Sequence, residues 1–312
     1  MHNVLLLSAG VTTGWHLAQV ARQCFADEIT LHLADINPRE LVPAAVLTEH
    51  YHQVPPLAQP GYEEAICQIL RQEHIDTIVP LIDQDLFRWA GDAPTLTALG
   101  VHSTAPVRRT AELLSDKAQM AAFLQAHDLP TPPLVDPAQT EPGRLYVVKK
   151  KIGCGSQGMR TVVGGQPLTL DPGELLQEKC DGDGREVTAE IFNAQGQLRV
   201  FCRERVVTKA GVCTKMVPLH LPEIEETIQK LVQIVPCPAA FCAQFMQHRG
   251  HWNLIDCNLR LGAGTALATA AGFQLVRAFW ANVCGQPVPA DWLQPDPTVK
   301  AVLRVYEEVV VR

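Results

Sequence analysis

A lysine at the end of an apolar run leads directly into a glycine-rich turn. Lys149 follows the apolar run 145–148. The residues of the turn that suit phosphate binding are Gly153, Gly155, Ser156 and Gly158. Backbone N–H groups and a hydroxyl in such a turn can close over phosphate oxygens, while the lysine supplies a fixed positive charge. Because the lysine precedes the glycines, the turn is not a Walker P-loop. An ordinary hairpin tip is the alternative interpretation.

Polar side chains alternate at the end of a later strand. Asp256, Asn258 and Arg260 are spaced two residues apart, which places their side chains on one face of a β-strand. Carboxylate and amide oxygens are ligands that Mg²⁺ accepts, and the arginine can hold a phosphate that the metal also contacts. A hairpin turn at residues 249–250 would bring Gln244 toward Asp256. The alternative interpretation is a solvated polar strand end.

A third polar group follows the apolar segment 175–176. Backbone groups near Lys179 and Cys180 could bind a purine, with Glu178 or Glu186 accepting hydrogen bonds from the adenine amine or the ribose. Neither carboxylate is diagnostic, because charged residues at strand ends are usually solvated. His248 and His251 flank the turn before the strand that carries Asp256. They are predicted to be exposed hairpin residues and not metal ligands.

The segments that must position these residues fall into two patterns. Over the first hundred residues, apolar runs alternate with amphipathic stretches, which predicts a parallel sheet with helices on its faces. From residue 145 onward, paired β-segments predict hairpins and an α+β architecture. A turn containing Gly10 and Gly14, with Asp35 after the next strand, leaves an NAD-dependent oxidoreductase as an alternative. These glycines do not match G-x-G-x-x-G, and tight strand-to-helix packing would explain them equally well.

The composition limits the classes of binding partner and the cellular compartment that we expect for this protein. The net charge of −7 and the lack of a basic run argue against nucleic acid as a partner and favour a small molecule. The apolar run 4–7 is too short to span a bilayer and no positive residue precedes it, so we expect a cytoplasmic protein that does not bind membranes. Ten cysteines without a C-x-x-C pair predict reduced, mostly buried thiols.

The order of these motifs along the chain resembles the ATP-grasp family. The similarity is greatest to the branch of biotin carboxylase and the carbamoyl phosphate synthetase large subunit, and it extends over essentially the whole length. Six motifs carry the resemblance. Residues 76–83 resemble part of the domain that precedes the ATP-grasp domain in this family, 115–117 the segment with its first nucleotide-binding lysine, and 147–159 the segment with its second lysine and its phosphate lid. Residues 177–180 resemble the adenine hinge, 203–211 the basic segment that faces the reaction centre, and 256–260 the end of the metal-binding strand.

The resemblance implies a fold of mixed α/β and α+β class. A Rossmann-like domain over residues 1–104 would precede an ATP-grasp domain with a small lid subdomain. Residues 105–180 would form its N-terminal lobe with the glycine-rich lid, and residues 181–312 its C-terminal lobe with the Mg²⁺ and phosphate site. By size the chain is comparable to the D-alanine:D-alanine ligases, and a homodimer through the N-terminal domain is implied by the same analogy.

The resemblance also implies the chemistry. A small-molecule carboxylate would attack ATP to give an acyl phosphate, and an amine or other nucleophile would displace phosphate, with ADP released. Lys117 and Lys149 would contact the α- and β-phosphates, and Arg260 the transferring phosphoryl group. Arg203 and Arg205 would orient the carboxylate. The Mg²⁺ ligands, which could also hold Mn²⁺, would be Gln244, Asp256 and Asn258.

Two departures from the family pattern keep other functions open. Asp256 stands where glutamate is usual, so the bridging of two metal ions by a shorter carboxylate is in question. Leu259 replaces a frequent proline and loosens the turn. A catalytically degenerate ATP-binding sensor of the same fold is therefore an alternative. An adenylating ligase, which would release AMP and pyrophosphate, is another.

Overall fold

The N-terminal part of the chain is a parallel sheet with helices on both faces. The computed structural model describes residues 1–153 and 158–311. The five strands have the order β3-β2-β1-β4-β5, and each neighbouring pair is parallel. The elements of this part are β1 (His2–Leu7), α1 (Thr12–Cys24), β2 (Ile29–Asp35), β3 (Tyr51–Gln53), α2 (Tyr62–Gln72), β4 (Thr77–Pro80), α3 (Asp83–Arg88), α4 (Pro94–Leu99) and β5 (His102–Ser103).

Strand β1 is buried on both faces because helices cover both sides of the sheet. Leu5 packs with residues of α2, whereas Leu6 packs with residues of α1. This two-sided burial explains why β1 is a continuous apolar run and does not alternate. The expected parallel sheet is confirmed.

The turn after β1 is held by an internal carboxylate. The Gly10 backbone N–H donates to Asp35 Oδ2 at 2.7 Å, and Asp35 is 5% exposed. A Cβ on Gly10 would lie 2.8 Å from that oxygen, and one on Gly14 would lie 2.2 Å from the Ala9 carbonyl oxygen. The glycines are therefore required by close packing. Because Asp35 is committed to this turn, its carboxylate is not presented to a ribose, which supports the packing interpretation over NAD binding.

Two helices and a small sheet follow. Asp116 caps the second helix, because its Oδ1 accepts hydrogen bonds from the N–H groups of Ala118 and Gln119. The antiparallel sheet has the order β7-β6-β8. The elements are α5 (Arg108–Ser115), α6 (Lys117–Ala126), β6 (Leu145–Lys150), β7 (Arg160–Val163) and β8 (Glu174–Glu178).

The C-terminal part is a six-stranded antiparallel sheet with the order β13-β12-β9-β10-β11-β14. Its last helices also pack against the first domain, since Trp280 Nε1 donates to the Leu17 carbonyl oxygen at 3.0 Å. The elements are β9 (Glu186–Ala194), β10 (Gln197–Lys209), β11 (Val212–Leu219), α7 (Pro222–Ile234), β12 (Ala240–His248), β13 (His251–Asn258), α8 (Thr265–Ala270), α9 (Leu275–Val283) and β14 (Val302–Leu303).

The predicted fold class is confirmed, but two strands of the central region had not been expected. Strand β7 has no buried residue, so its sequence lacks the apolar alternation that identifies a strand. Strand β11 contains Lys215 and Pro218, which weaken the same signal. Across the part of the chain that the structure describes, no helix has both the length and the apolar character needed to cross a bilayer.

Candidate active site

A cavity of about 380 Å³ lies between the small sheet and the large sheet. Residues from α6, β6, β9, β10, β12 and β13 line it, so distant parts of the sequence converge there. Ten residues that the sequence analysis selected are in its lining: Lys117, Lys149, Gly153, Glu186, Arg203, Arg205, Gln244, Asp256, Asn258 and Arg260. The volume is within the range of small-molecule sites, which is about 300–1,000 Å³.

The charged groups of the cavity favour an anionic ligand. Among the described lining residues, the cationic side chains outnumber the carboxylates, which are Glu186 and Asp256. The cations are Lys117, Lys149, Lys150, Arg203, Arg205 and Arg260. Because a concave site focuses the field of its charged groups, polyanions such as phosphates are attracted to it.

The two predicted lysines reach the same end of the cavity from different elements. Lys117 Nζ lies 3.0 Å from Asp256 Oδ1 and donates to the Gly153 carbonyl oxygen at 2.9 Å. Lys149 Nζ donates to the Ile255 carbonyl oxygen at 3.4 Å. Lys117 therefore joins the start of α6, the glycine turn and β13, while Lys149 contacts the same strand one residue away from Asp256.

The predicted metal ligands lie side by side on adjacent strands. Gln244 on β12 is the register partner of Asp256 on β13, as the predicted hairpin required. The turn at Arg249 and Gly250 has φ values of 53° and 81°, typical of a tight hairpin. Asn258 Nδ2 donates to Asp256 Oδ2 at 3.3 Å. One carboxylate and two amide groups that face a cationic cavity fit a single hard cation such as Mg²⁺.

Arg260 is positioned by the N-terminal domain. Its Nε donates to Asp83 Oδ1 at 2.8 Å, and Asp83 is the first residue of α3. Asp83 was not selected as a site residue from the sequence. Its place just after the carboxyl end of β4 was the signal that could have identified it, because side chains at that edge of a parallel sheet often serve binding sites.

Arg203 is more constrained than the sequence suggested. It is 2% exposed, and its Nε and Nη2 donate to Glu190 Oε1 at 3.1 and 2.8 Å. Thr265 Oγ1 donates to the other oxygen of Glu190 at 3.1 Å. Of the three nitrogens of this guanidinium, Nη1 has no hydrogen-bond partner among the described residues. Two of its three nitrogens are thus committed to a buried ion pair, and Nη1 alone remains to contact a ligand.

The fit of Arg203 depends on a glycine. A Cβ on Gly264 would lie 1.9 Å from Arg203 Nη2, although the backbone of Gly264 has an ordinary φ of −84°. We expect Gly264→Ala to displace the guanidinium, weaken its pair with Glu190 and lower the free energy of unfolding by about 3 kcal/mol. The urea midpoint of unfolding measures this loss.

Gly196→Ala is the matched control for that substitution. Gly196 has a φ of 71°, and no atom lies within 4 Å of the position that an added Cβ would take, so its replacement introduces backbone strain of only about 1 kcal/mol. Equal losses for both variants would show that the contact with Arg203 does not require glycine at position 264.

Arg205 is paired with the second carboxylate of the cavity. Its Nε lies 3.0 Å from Glu186 Oε1, and its Nη2 donates to the Gly211 carbonyl oxygen at 2.9 Å. Burial raises the pKa of Glu186, and Arg205 opposes that shift. The pair fixes both side chains at the wall of the cavity, with the guanidinium oriented by the turn between β10 and β11.

Four residues predicted to bind the nucleotide are not among the described residues that line the cavity: Gly158, Glu178, Lys179 and Cys180. Glu178 is 9% exposed and is held by Arg144 and Arg249, both at 2.7 Å from Oε2. The carboxylate of Glu178 is therefore paired with cations of the protein, and its contact with adenine or ribose stays a prediction. Gly155 and Ser156 lie outside the described residues.

The position of His248 corrects an expectation from the sequence. It was expected to be exposed at the hairpin tip, but it is 3% exposed and its Nε2 lies 2.9 Å from Glu178 Oε2. The ring packs inward because the buried carboxylate needs partners. His251 is exposed as predicted, and its Nδ1 lies 2.9 Å from Glu223 Oε1.

Comparison with known proteins agrees with this architecture. Residues 114–264 match the ATP-grasp domain family, and residues 4–103 match the PylC-like N-terminal domain family. No curated protein matches the sequence. N5-carboxyaminoimidazole synthetase from Staphylococcus aureus, solved with ADP, is 16% identical with a TM-score of 0.73, and the match covers 92% of this chain and 78% of that one.

Two other solved structures are similar over comparable lengths. The biotin carboxylase domain of 2-oxoglutarate carboxylase from Hydrogenobacter thermophilus is 14% identical, with a TM-score of 0.74 and coverage of 91% and 70%. The L-amino acid ligase from Bacillus licheniformis is 14% identical, with a TM-score of 0.71 and coverage of 95% and 78%. At these identities the likeness shows a shared fold. Residues 114–264 therefore form an ATP-grasp domain, which a PylC-like N-terminal domain over residues 4–103 precedes.

Proposed function

We propose that this protein is an ATP-dependent ligase that joins a small-molecule carboxylate to an amine or another nucleophile. The observation that carries the proposal is the convergence of Lys117, Lys149 and Arg260 with Asp256 and Asn258 in one cavity. Cations that neutralise a triphosphate, beside oxygen ligands for a divalent ion, are what phosphoryl transfer from ATP requires. The similar folds solved with ADP or MgADP support this proposal.

The donor set suits one divalent ion. Asp256, Asn258 and Gln244 would hold Mg²⁺, with Mn²⁺ as an alternative, and the bound ion would supply charge neutralisation at the phosphates. Asp256 Oδ1 also lies 3.0 Å from Lys117 Nζ, so the lysine and the ion would share this carboxylate.

The proposed reaction has two transfers. An oxygen of the substrate carboxylate attacks the γ-phosphorus of ATP and displaces ADP, which gives an acyl phosphate. The nucleophile then attacks the acyl carbon, phosphate leaves, and an attacking amine loses a proton. Lys117 and Lys149 would hold the phosphates, and Arg260, oriented by Asp83, would stabilise the transferring group. Arg203 Nη1 and Arg205 would face the carboxylate.

The direct test measures ADP and new products together. The protein is incubated with Mg-ATP and pooled amino acids and small carboxylates, and nucleotides and masses are followed by chromatography and mass spectrometry. Substrate-dependent ADP with a new condensed mass supports the ligase. AMP and pyrophosphate would instead identify an adenylating enzyme and refute the acyl-phosphate route.

The second candidate is an ATP-binding sensor without turnover. It is favoured by the pair between Lys117 Nζ and Asp256 Oδ1, which lie 3.0 Å apart, because a carboxylate paired with a lysine is less available to a metal ion. The aspartate side chain is also shorter than that of the glutamate usual at this position. Saturable ATP binding without ADP release, for every substrate pair tested, would support the sensor. Sustained ADP release excludes it.

Lys149 should give nucleotide binding a distinctive pH dependence. Burial lowers the pKa of Lys149 to about 8, and Lys117 contributes in the same direction against the opposing effect of Asp256. The ammonium form predominates below that pKa, so phosphate binding should weaken as the pH rises. We expect the Kd of Mg-ATP to increase by up to about 10-fold between about pH 7 and pH 9, as measured by calorimetry.

Lys149→Arg is the matched variant for this prediction. A guanidinium stays protonated over the whole range, so the variant should show a flatter pH profile whatever its absolute affinity. Parallel profiles for the two proteins would contradict the assignment of the pH dependence to Lys149.

Three further aspects are proposed with this function. The domain boundaries are placed after residues 104 and 180. A homodimer through the N-terminal domain is proposed by analogy with the biotin carboxylase domain that was solved as a dimer. The cytoplasm, where ATP and small carboxylates are available, is the proposed compartment.

A further inference from the structure

Three histidines and a glutamate converge at the edge of the N-terminal sheet. His32 lies on β2, His52 on the edge strand β3, and His50 immediately before β3. Glu73 is the C-cap residue of α2, which packs on the same face of the sheet. None of these four residues is among the described residues that line the cavity, so the cluster is separate from the proposed ATP site.

The distances within this cluster are short. His32 Nδ1 lies 3.3 Å from His52 Nε2 and 3.9 Å from Glu73 Oε2, and the rings of His32 and His50 are 4.4 Å apart at their centroids. One ligand atom from each of His32, His50 and Glu73 lies within 4.8 Å of the others. Tetrahedral ligands at about 2.1 Å from Zn²⁺ are separated by about 3.4 Å, so modest side-chain rotation would close the site.

The burial of His32 distinguishes this cluster from a group of histidines that are all exposed to solvent. His32 is 2% exposed, whereas His50 is exposed and Glu73 is half-buried, so the cluster opens to solvent on one side. A metal ion binds the neutral imidazole ring, whose unprotonated nitrogen donates a lone pair to it.

We propose that His32, His50 and Glu73 form a binding site for a divalent transition metal ion of the Zn²⁺ type. His52, whose Nε2 lies 3.3 Å from His32 Nδ1, could supply a fourth ligand atom. Imidazole nitrogen with one carboxylate is a ligand set that Zn²⁺ and its neighbours accept, whereas Mg²⁺ and Ca²⁺ select oxygen ligands. The ion would tie the short edge strand β3 to β2 and to the end of α2, so that it stabilises this corner of the N-terminal domain.

The test uses the full-length protein after treatment with a chelator and exchange into buffer containing excess Mg²⁺, which occupies sites that prefer hard ions. Zn²⁺ is then titrated by calorimetry, and Co²⁺ is used as a spectroscopic probe of coordination. We expect one Zn²⁺ per chain and the visible absorption of tetrahedral Co²⁺ bound by nitrogen and oxygen. Absence of saturable Zn²⁺ binding, or Co²⁺ absorption typical of thiolate ligands, would overturn the proposal.

Variants of the accessible ligands locate the site without disturbing the core. His50→Ala and Glu73→Gln should each weaken Zn²⁺ binding by about 100-fold or more, because even groups that only orient a ligand contribute 10- to 100-fold. His220→Ala is the matched control, since His220 is exposed and its Nδ1 lies 3.5 Å from Glu225 Oε1 in a comparable pair. Unchanged affinity in both ligand variants, or an equal loss in the control, would refute this assignment.

Discussion

Asp256→Asn is expected to reduce substrate-dependent ADP release by at least about 100-fold, the loss typical of a preorganised electrostatic group. The substitution keeps the size and the register opposite Gln244 but removes the charge that would hold a divalent ion. It also leaves Lys117 Nζ without the carboxylate that now lies 3.0 Å away. Steady-state ADP release at saturating Mg-ATP measures the effect.

Asp291→Asn provides the control for this charge change. Asp291 lies on an exposed 3₁₀ turn and is not among the described residues that line the cavity, so its replacement should leave ADP release unchanged. The urea midpoint of Asp256→Asn should be close to that of the unmodified protein, which separates lost chemistry from lost folding. Full turnover by Asp256→Asn would refute its role as the metal carboxylate.

Lys117→Met should lower kcat/KM for ATP by about 100-fold, because a cation that faces the phosphates is replaced by an apolar chain of similar length. Lys117 contacts both the Gly153 carbonyl and Asp256, so its loss affects the glycine turn and the metal strand together. Initial rates over a range of ATP concentrations give the change. Lys230→Met is the control, since Lys230 is exposed on α7 and pairs with Glu226.

The double variant of Lys117 and Asp256 distinguishes a shared role from two separate ones. Groups in direct contact are not additive, so the double variant should lose far less than the product of the two single losses. Additive losses would show that Lys117 and Asp256 act independently, which would contradict the arrangement seen in the cavity.

The sequence alone determined much of the fold and part of the site. The periodicity of apolar residues is a local property, and it predicted the parallel sheet, the hairpins and the pairing of Gln244 with Asp256. The spacing of Asp256, Asn258 and Arg260 placed them on one face for the same reason, because side chains alternate along a strand.

Only the tertiary structure decided which charged groups face the cavity and which are paired inside the protein. Glu178 is bound by Arg249 and His248, which lie on a hairpin some seventy positions later, so its local sequence carries no sign of that burial. Likewise, Asp83 in the N-terminal domain orients Arg260, a partner 177 positions away along the chain. The physical reason is that the pairing of a charge depends on what packs beside it, and the neighbours along the chain do not specify that contact.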